Sequence, residues 1–231
     1  KELPEDFYEK RKIGENDNII CKLIQKDSIE EFINYLNKNN CSFNSTIESS
    51  IYETNPFLVK EQIEISSNKH NDDELTLIKY ASFFGSIQIF NYLLTNGAIL
   101  TPSLLLLAIH SKNTEIINIL EKHLFKLQKG NKTLLQKKIK DELYYECFKE
   151  SIKCFHNDIA FYIQNNHLNN EKDYLYETFN QSLKSYNFVF ITNELINESS
   201  FNDICRYDYS LLACIIMNDT NVDVNKVIIK T

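Results

Sequence analysis

Tryptophan is absent from this chain of 231 residues, which has only four Gly, three Pro and one Met. Sandwiches and barrels draw on Gly and Pro for their many tight turns, so this scarcity leans the composition towards helix. It also removes two kinds of site. With only Gly14, Gly85, Gly97 and Gly130 there is neither a GxSxG nucleophile elbow nor a Gly-rich phosphate loop. The longest apolar run, Leu104 to Ile109, is far short of a membrane span. No CxxC and no signal peptide is present, so Cys21, Cys41, Cys147, Cys154, Cys205 and Cys214 read as free thiols of a reducing compartment, cytoplasmic or nuclear. Cys147 and Cys154 lie seven residues apart, but no further Cys or His completes a zinc spacing. The lone Met217 lies far from the start, so a fragment or a processed product is expected.

Positive charge is in deficit: 25 Lys and Arg face 32 Asp and Glu, a net charge of -7. That balance argues against a general nucleic-acid binder, which needs surplus Lys and Arg at its surface. What remains, 43% hydrophobic and 25% charged, is a globular composition.

The stretch Thr76 to Ala98 organises the rest. It divides into two short amphipathic helices, Leu77 to Phe84 with Ile78, Ala81 and Ser82 on one face, and Ile87 to Leu94 with Ile89, Phe90, Leu93 and Leu94 on one face. Gly85 separates them and Gly97 ends the pair, each where a helix stop needs positive φ. Ser86 stands where it can cap the second helix. Thr76, Ile78, Ala81, Gly85, Ile89, Leu93, Leu94, Gly97 and Ala98 resemble an ankyrin repeat, from which Leu77 and Lys79 depart at the usual Pro and His. The resemblance implies an all-α, ankyrin-like helical-repeat solenoid with irregular, partly degenerate repeats.

The pattern recurs. Ala108, Ile116, Ile117 and Leu120 match Ala81, Ile89, Phe90 and Leu93, each 27 residues on, with Thr101 as N-cap and Pro102 at the first helical position. Earlier, Ile24, Ser28, Phe32 and Leu36 match Ala81, Gly85, Ile89 and Leu93, and Ser28 with Glu31 forms a capping box. Later, Ser151, Phe155, Ile159 and Ile163 take the places of Ala81, Gly85, Ile89 and Leu93; Ser182, Tyr186, Phe190 and Leu195 form a looser unit, and Tyr207 begins a sixth. The expected organisation is a lead-in over 1–18 anchored by Phe7, Tyr8 and Ile13, a divergent region over 19–70 with a short helix from Phe57 to Ile65, two well-formed repeats over 71–124, a Lys-rich insertion over 125–140 and further, truncated repeats over 141–231. The Ser50 to Pro56 stretch and the irregular repeats resemble divergent ankyrin proteins expanded in parasitic protists, and that likeness covers most of residues 17 to 230.

The five His residues form no HExxH or paired ligand spacing, and adjacent His156 and Asp158 do not make an acid–base pair. The chain is therefore expected not to be an enzyme and to need no cofactor, metal or small-molecule substrate. The resemblance implies a scaffold that grips an unidentified protein through hairpin tips and the two residues before each turn. Those positions are His70, Asn71, Asp72 and Asp73 at a tip, and Phe83 with Phe84, His110 with Ser111, and Lys153 with Cys154 ahead of the turns. Phe83 and Phe84 read either as a partner anchor or as packing on the neighbouring repeat. The alternative is a tether that contacts an anionic membrane or nucleic acid through Lys126, Lys129, Lys132, Lys137, Lys138 and Lys140.

Overall fold

The most apolar stretches make the innermost helices. A computed structural model describes residues 3–55, 57–59, 74–126, 134–168, 172–192 and 198–219. Among them the regular structure is helical and no strand occurs: α1 (Phe7–Ile13), α2 (Ile19–Gln25), α3 (Ile29–Asn39), α4 (Leu77–Phe84), α5 (Ile87–Thr95), α6 (Ser103–Ser111), α7 (Thr114–Lys126), α8 (Leu134–Lys153), α9 (Asn157–Asn166), α10 (Lys172–Lys184), a 3₁₀ turn (Phe188–Phe190), α11 (Glu198–Arg206) and α12 (Ser210–Asp219). No helix among the described residues is long and apolar enough to cross a membrane. The chain divides into two compact units, Lys1–Ile139 and Lys140–Thr231.

In the first unit α2, α4 and α6 pack side by side, while α3, α5 and α7 form a second layer. Helix α4 is buried from Leu77 through Ser82 and α6 from Ser103 through Ile109, as an all-round apolar helix must be. Helix α5 is one-sided, burying Ile89, Phe90 and Leu93. Each such fully buried Leu, Ile or Phe contributes roughly 1.5–3 kcal/mol. In the second unit α10 packs on the 3₁₀ turn and on α11, and α11 on α12, around Phe179, Leu183, Phe201, Ile204 and Ala213.

One turn geometry recurs six times. Asp27, Gly85, Lys112, Phe155, Tyr186 and Asp208 are all left-handed, with φ of 50°, 72°, 55°, 59°, 58° and 59°. Each donates its N–H to the carbonyl three residues back. The next residue's N–H reaches five back, from Ser28 to Leu23, Ser86 to Ala81, His156 to Ser151, Asn187 to Ser182 and Tyr209 to Ile204. These paired bonds are the Schellman stop, which satisfies the last carbonyls of a helix. In the third turn the Ser111 hydroxyl stands between the ends, donating to Ala108 and accepting from the Asn113 N–H.

Several expectations need correction. The left-handed residue of the first turn is Asp27, not Ser28, and no side-chain bond of a capping box forms at Ser28. Ser86 likewise makes no cap bond within its own helix. Thr101 bonds the Ser103 hydroxyl rather than a helix amide, while Pro102 adopts helical angles. Tyr8 and Ile13 are exposed and anchor nothing; α1 is held by Arg11, whose Nη1 donates to the carbonyls of Ile51 (2.6 Å) and Glu53 (2.8 Å), and by Phe7 against Tyr52. Residues 134–140 of the expected insertion belong to α8. The second helix of the looser unit shortens to the 3₁₀ turn, and Tyr207 closes α11 rather than opening a unit, so α12 is the second member of its pair. Of the expected Phe57–Ile65 helix, 57–59 form a turn and the remainder lies outside the described residues.

Candidate functional site

Within each unit the turns also fix one helix pair against the next. At four of the six turns the residue after the left-handed position sends its side chain back to the preceding turn. Ser86 Oγ donates to the Ile24 carbonyl and Asn113 Nδ2 to that of Gly85 (3.0 Å), within the first unit. In the second, Asn187 Nδ2 donates to Ile152 (2.9 Å) and Tyr209 Oη to Leu183. Ile24, Ile152 and Leu183 occupy the same place, three residues before their left-handed residue. Asp27 adds a cap across repeats: its carboxylate accepts from the Gln88 and Ile89 N–H groups, both at 3.0 Å, at the start of α5. Small side chains let the turns approach. Ala81, Ala108, Ser151 and Ser182 are fully buried, and a Cβ on Gly85 would come within 2.9 Å of Ser111 Cβ.

This register lines up the two residues before each turn. Phe83 packs on His110 of α6 at 4.8 Å and on Phe84 at 5.1 Å, Phe84 on Tyr80 at 4.7 Å, and Phe57 also meets His110, edge-on at 4.4 Å. Phe57, Phe83, Phe84 and His110 are each only half-buried. Phe83 thus packs against α6, as one of its two readings expected, and is also half-exposed. Ser111 is taken up inside its own turn. Cys154 lies beside Glu150, with its Sγ 3.6 Å from Oε1, and burial pushes its thiol up to about 12. Lys153 is exposed, 3.4 Å from Glu150 Oε1. His70, Asn71, Asp72 and Asp73 lie outside the described residues.

No family model, curated protein or solved structure matches this chain. The turns themselves remain the basis for a functional reading. They reveal positions that motif reading passed over, namely Phe57, which joins the aromatic cluster from a loop, and Lys184 and Arg206, which stand two residues before Tyr186 and Asp208 as Lys153 stands before Phe155.

A buried polar group lies elsewhere in the first unit. Cys21 and Tyr80 are fully buried, and Gln25 Nε2 donates to Tyr80 Oη at 3.0 Å. Burial raises both, the Cys21 thiol to about 12, so this cysteine is held as an inert thiol. Glu53 is 5% exposed; its Oε1 accepts from the Asn55 N–H, and burial lifts its carboxyl above the ordinary value.

Proposed function

We propose that this chain is an ankyrin-like repeat protein that binds a partner protein along the row of residues preceding its turns, without a cofactor and without catalysis. The observation that carries the reading is the recurrence of one left-handed turn, with a side-chain hydrogen bond passing from four of the six turns to the one before, two in each unit. Such a frame holds surface side chains at fixed spacing, which is what a repeat scaffold offers a partner. In the first unit the row carries the aromatic rings of Phe83, Phe84 and His110. Rings already braced against one another lose little freedom on docking, and half-exposed aromatics are the residues that most often anchor an interface.

The test is affinity capture from the source cell's extract with the native chain and a Phe83→Ala, Phe84→Ala variant, its folding checked by circular dichroism. A discrete protein held by the native chain and lost by at least tenfold with the variant is expected. Unchanged capture refutes the aromatic row as the binding face. Retention of nucleic acid or lipid alone, released by salt, refutes protein binding and moves attention to the Lys126–Lys140 cluster. Of that cluster only Lys140 has a described side chain, and its Nζ lies 5.4 Å over the Tyr144 ring.

A further inference from the structure

The left-handed place in each turn suits Gly85 without steric cost, and Asp27 and Asp208 tolerate it through short polar side chains. In the second unit Phe155 and Tyr186 occupy it. An aromatic side chain there weakens the folding equilibrium by roughly tenfold. Neither ring recovers this by burial, since Phe155 is 55% and Tyr186 69% exposed. Strain spent on an exposed ring points to a role outside folding.

The surroundings say what that role is. The Tyr186 and Phe188 rings both meet the Tyr209 ring edge-on, with centroids at 5.6 and 5.3 Å, and Val189 and Leu211 in the same two segments are exposed as well. Two residues before the left-handed position stand three exposed cations, Lys153, Lys184 and Arg206. The first unit has Gln25, Phe83 and His110 there, so the helix dipole's preference for a terminal cation does not by itself set the choice. Residues 140–231 contain 8 Lys and Arg against 14 Asp and Glu, and three of the eight are placed in this one row. Among the described residues neither Lys184 nor Arg206 is paired with a carboxylate. The bonds from Asn187 to Ile152 and from Tyr209 to Leu183 set the three turns side by side. At the usual helix-packing distance of roughly 8–10 Å, the cations recur about once per three residues of an extended peptide.

We propose that the turn ends of the second unit bind an extended acidic peptide segment of a partner protein, its carboxylates on Lys153, Lys184 and Arg206 and its apolar side chains on Phe155, Tyr186 and Phe188. A nucleic-acid strand fits less well. Phe155, Tyr186 and Phe188 offer rings to a base, but the unit's excess of acidic groups repels a dense polyanion, and the exposed Val189 and Leu211 add aliphatic surface that suits apolar side chains rather than bases. The proposal rests on the turns being partner-facing and adds the partner's chemistry; its test lies in residues 140–231, so its failure is distinct from failure of the Phe83 and Phe84 test.

A random dodecapeptide display library, selected on the whole chain and counter-selected on a Lys184→Glu, Arg206→Glu variant, provides that test. Recovered peptides are expected to interleave Asp or Glu with Leu, Ile or Phe, and a synthetic copy should bind the double variant at least tenfold more weakly. Tyr186→Asn, which suits the left-handed turn, should bind the peptide severalfold more weakly yet melt about 3 °C higher. Recovery of basic peptides, an empty selection or equal binding by the double variant overturns the proposal. So does tighter binding of a twelve-residue oligothymidylate, and a lower melting temperature for Tyr186→Asn overturns the strain argument on which the proposal stands.

Discussion

Asp27 does two things at one position, and three substitutions separate them. Its backbone is left-handed at φ 50°, and its carboxylate caps α5 through the Gln88 and Ile89 N–H groups, each at 3.0 Å. Removing a cap costs about 1 kcal/mol, and placing a Cβ-bearing residue without a compensating polar group in the left-handed region costs roughly 1–2 kcal/mol more. Asp27→Ala should therefore lose about 2–3 kcal/mol. Asp27→Gly keeps the backbone and loses only the cap, about 1 kcal/mol. Asp27→Asn retains an acceptor oxygen and tolerates the turn, so about 0.5 kcal/mol is expected from the lost charge at the start of α5. Urea unfolding followed by circular dichroism, compared at constant m value, gives the order. Equal losses for Gly and Ala would refute the left-handed requirement. A costless Gly would refute the cap between repeats.

Gly85→Ala should cost more than Gly97→Ala, by about 1 kcal/mol or more in urea unfolding, because both are left-handed but only the first would press its Cβ against Ser111, at 2.9 Å. Glu53 has a carboxyl raised by burial, so the folded chain takes up its proton first as pH falls; its contribution to stability rises as pH drops through the raised value and is lost as pH climbs back. Glu53→Gln should accordingly flatten the stability profile on the acid side of neutrality and stabilise the chain at pH 7, read from thermal melts across pH; an unchanged profile would exclude Glu53 as the titrating group. Cys205 and Cys214 are exposed, whereas the Cys21 thiol is buried and pushed up to about 12. Iodoacetamide at pH 8 should label the first two within minutes and leave Cys21 unmodified, as mass spectrometry of the digested chain would show.

The helix pair α4–α5 could be read directly because local and tertiary signals agree there. Leu77–Phe84 matches the expected helix at both ends, and Gly85 and Ile87 stop and restart the chain where periodicity placed them. Phe155 and Tyr186, placed by register alone in the position of Gly85, are left-handed as that position requires. Register failed at Ser28 because left-handed residues lie at Asp27 and Asn40 in one repeat but at Gly85 and Gly97 in the other, so α3's repeat is one residue longer; alignment through Leu36 slips by one at the turn. Helix α11 went unread since Glu198–Arg206 is polar except for Phe201 and Ile204, whose burial comes from α10 and α12 rather than from a local pattern. The cap at Ser86 misled because its hydroxyl donates to the Ile24 carbonyl of the preceding helix pair, and Ser28, at the corresponding place, makes no cap bond. At the candidate site, Phe83 and His110 were legible from their offset to the turn, while Phe57 comes from a loop that no periodicity connects to them.

The four side-chain bonds that link turn carbonyls run one way, from a later turn to a carbonyl of the turn before it. As the chain leaves the ribosome, each turn that receives such a bond presents a hydrated carbonyl to the donor that follows. The following repeat arrives with its own donor and docks on a completed edge. Within each unit these inter-turn bonds close in the order of synthesis, whereas the buried Ser82 hydroxyl of α4 reaches forward and is satisfied only when the Leu104 carbonyl of α6 arrives.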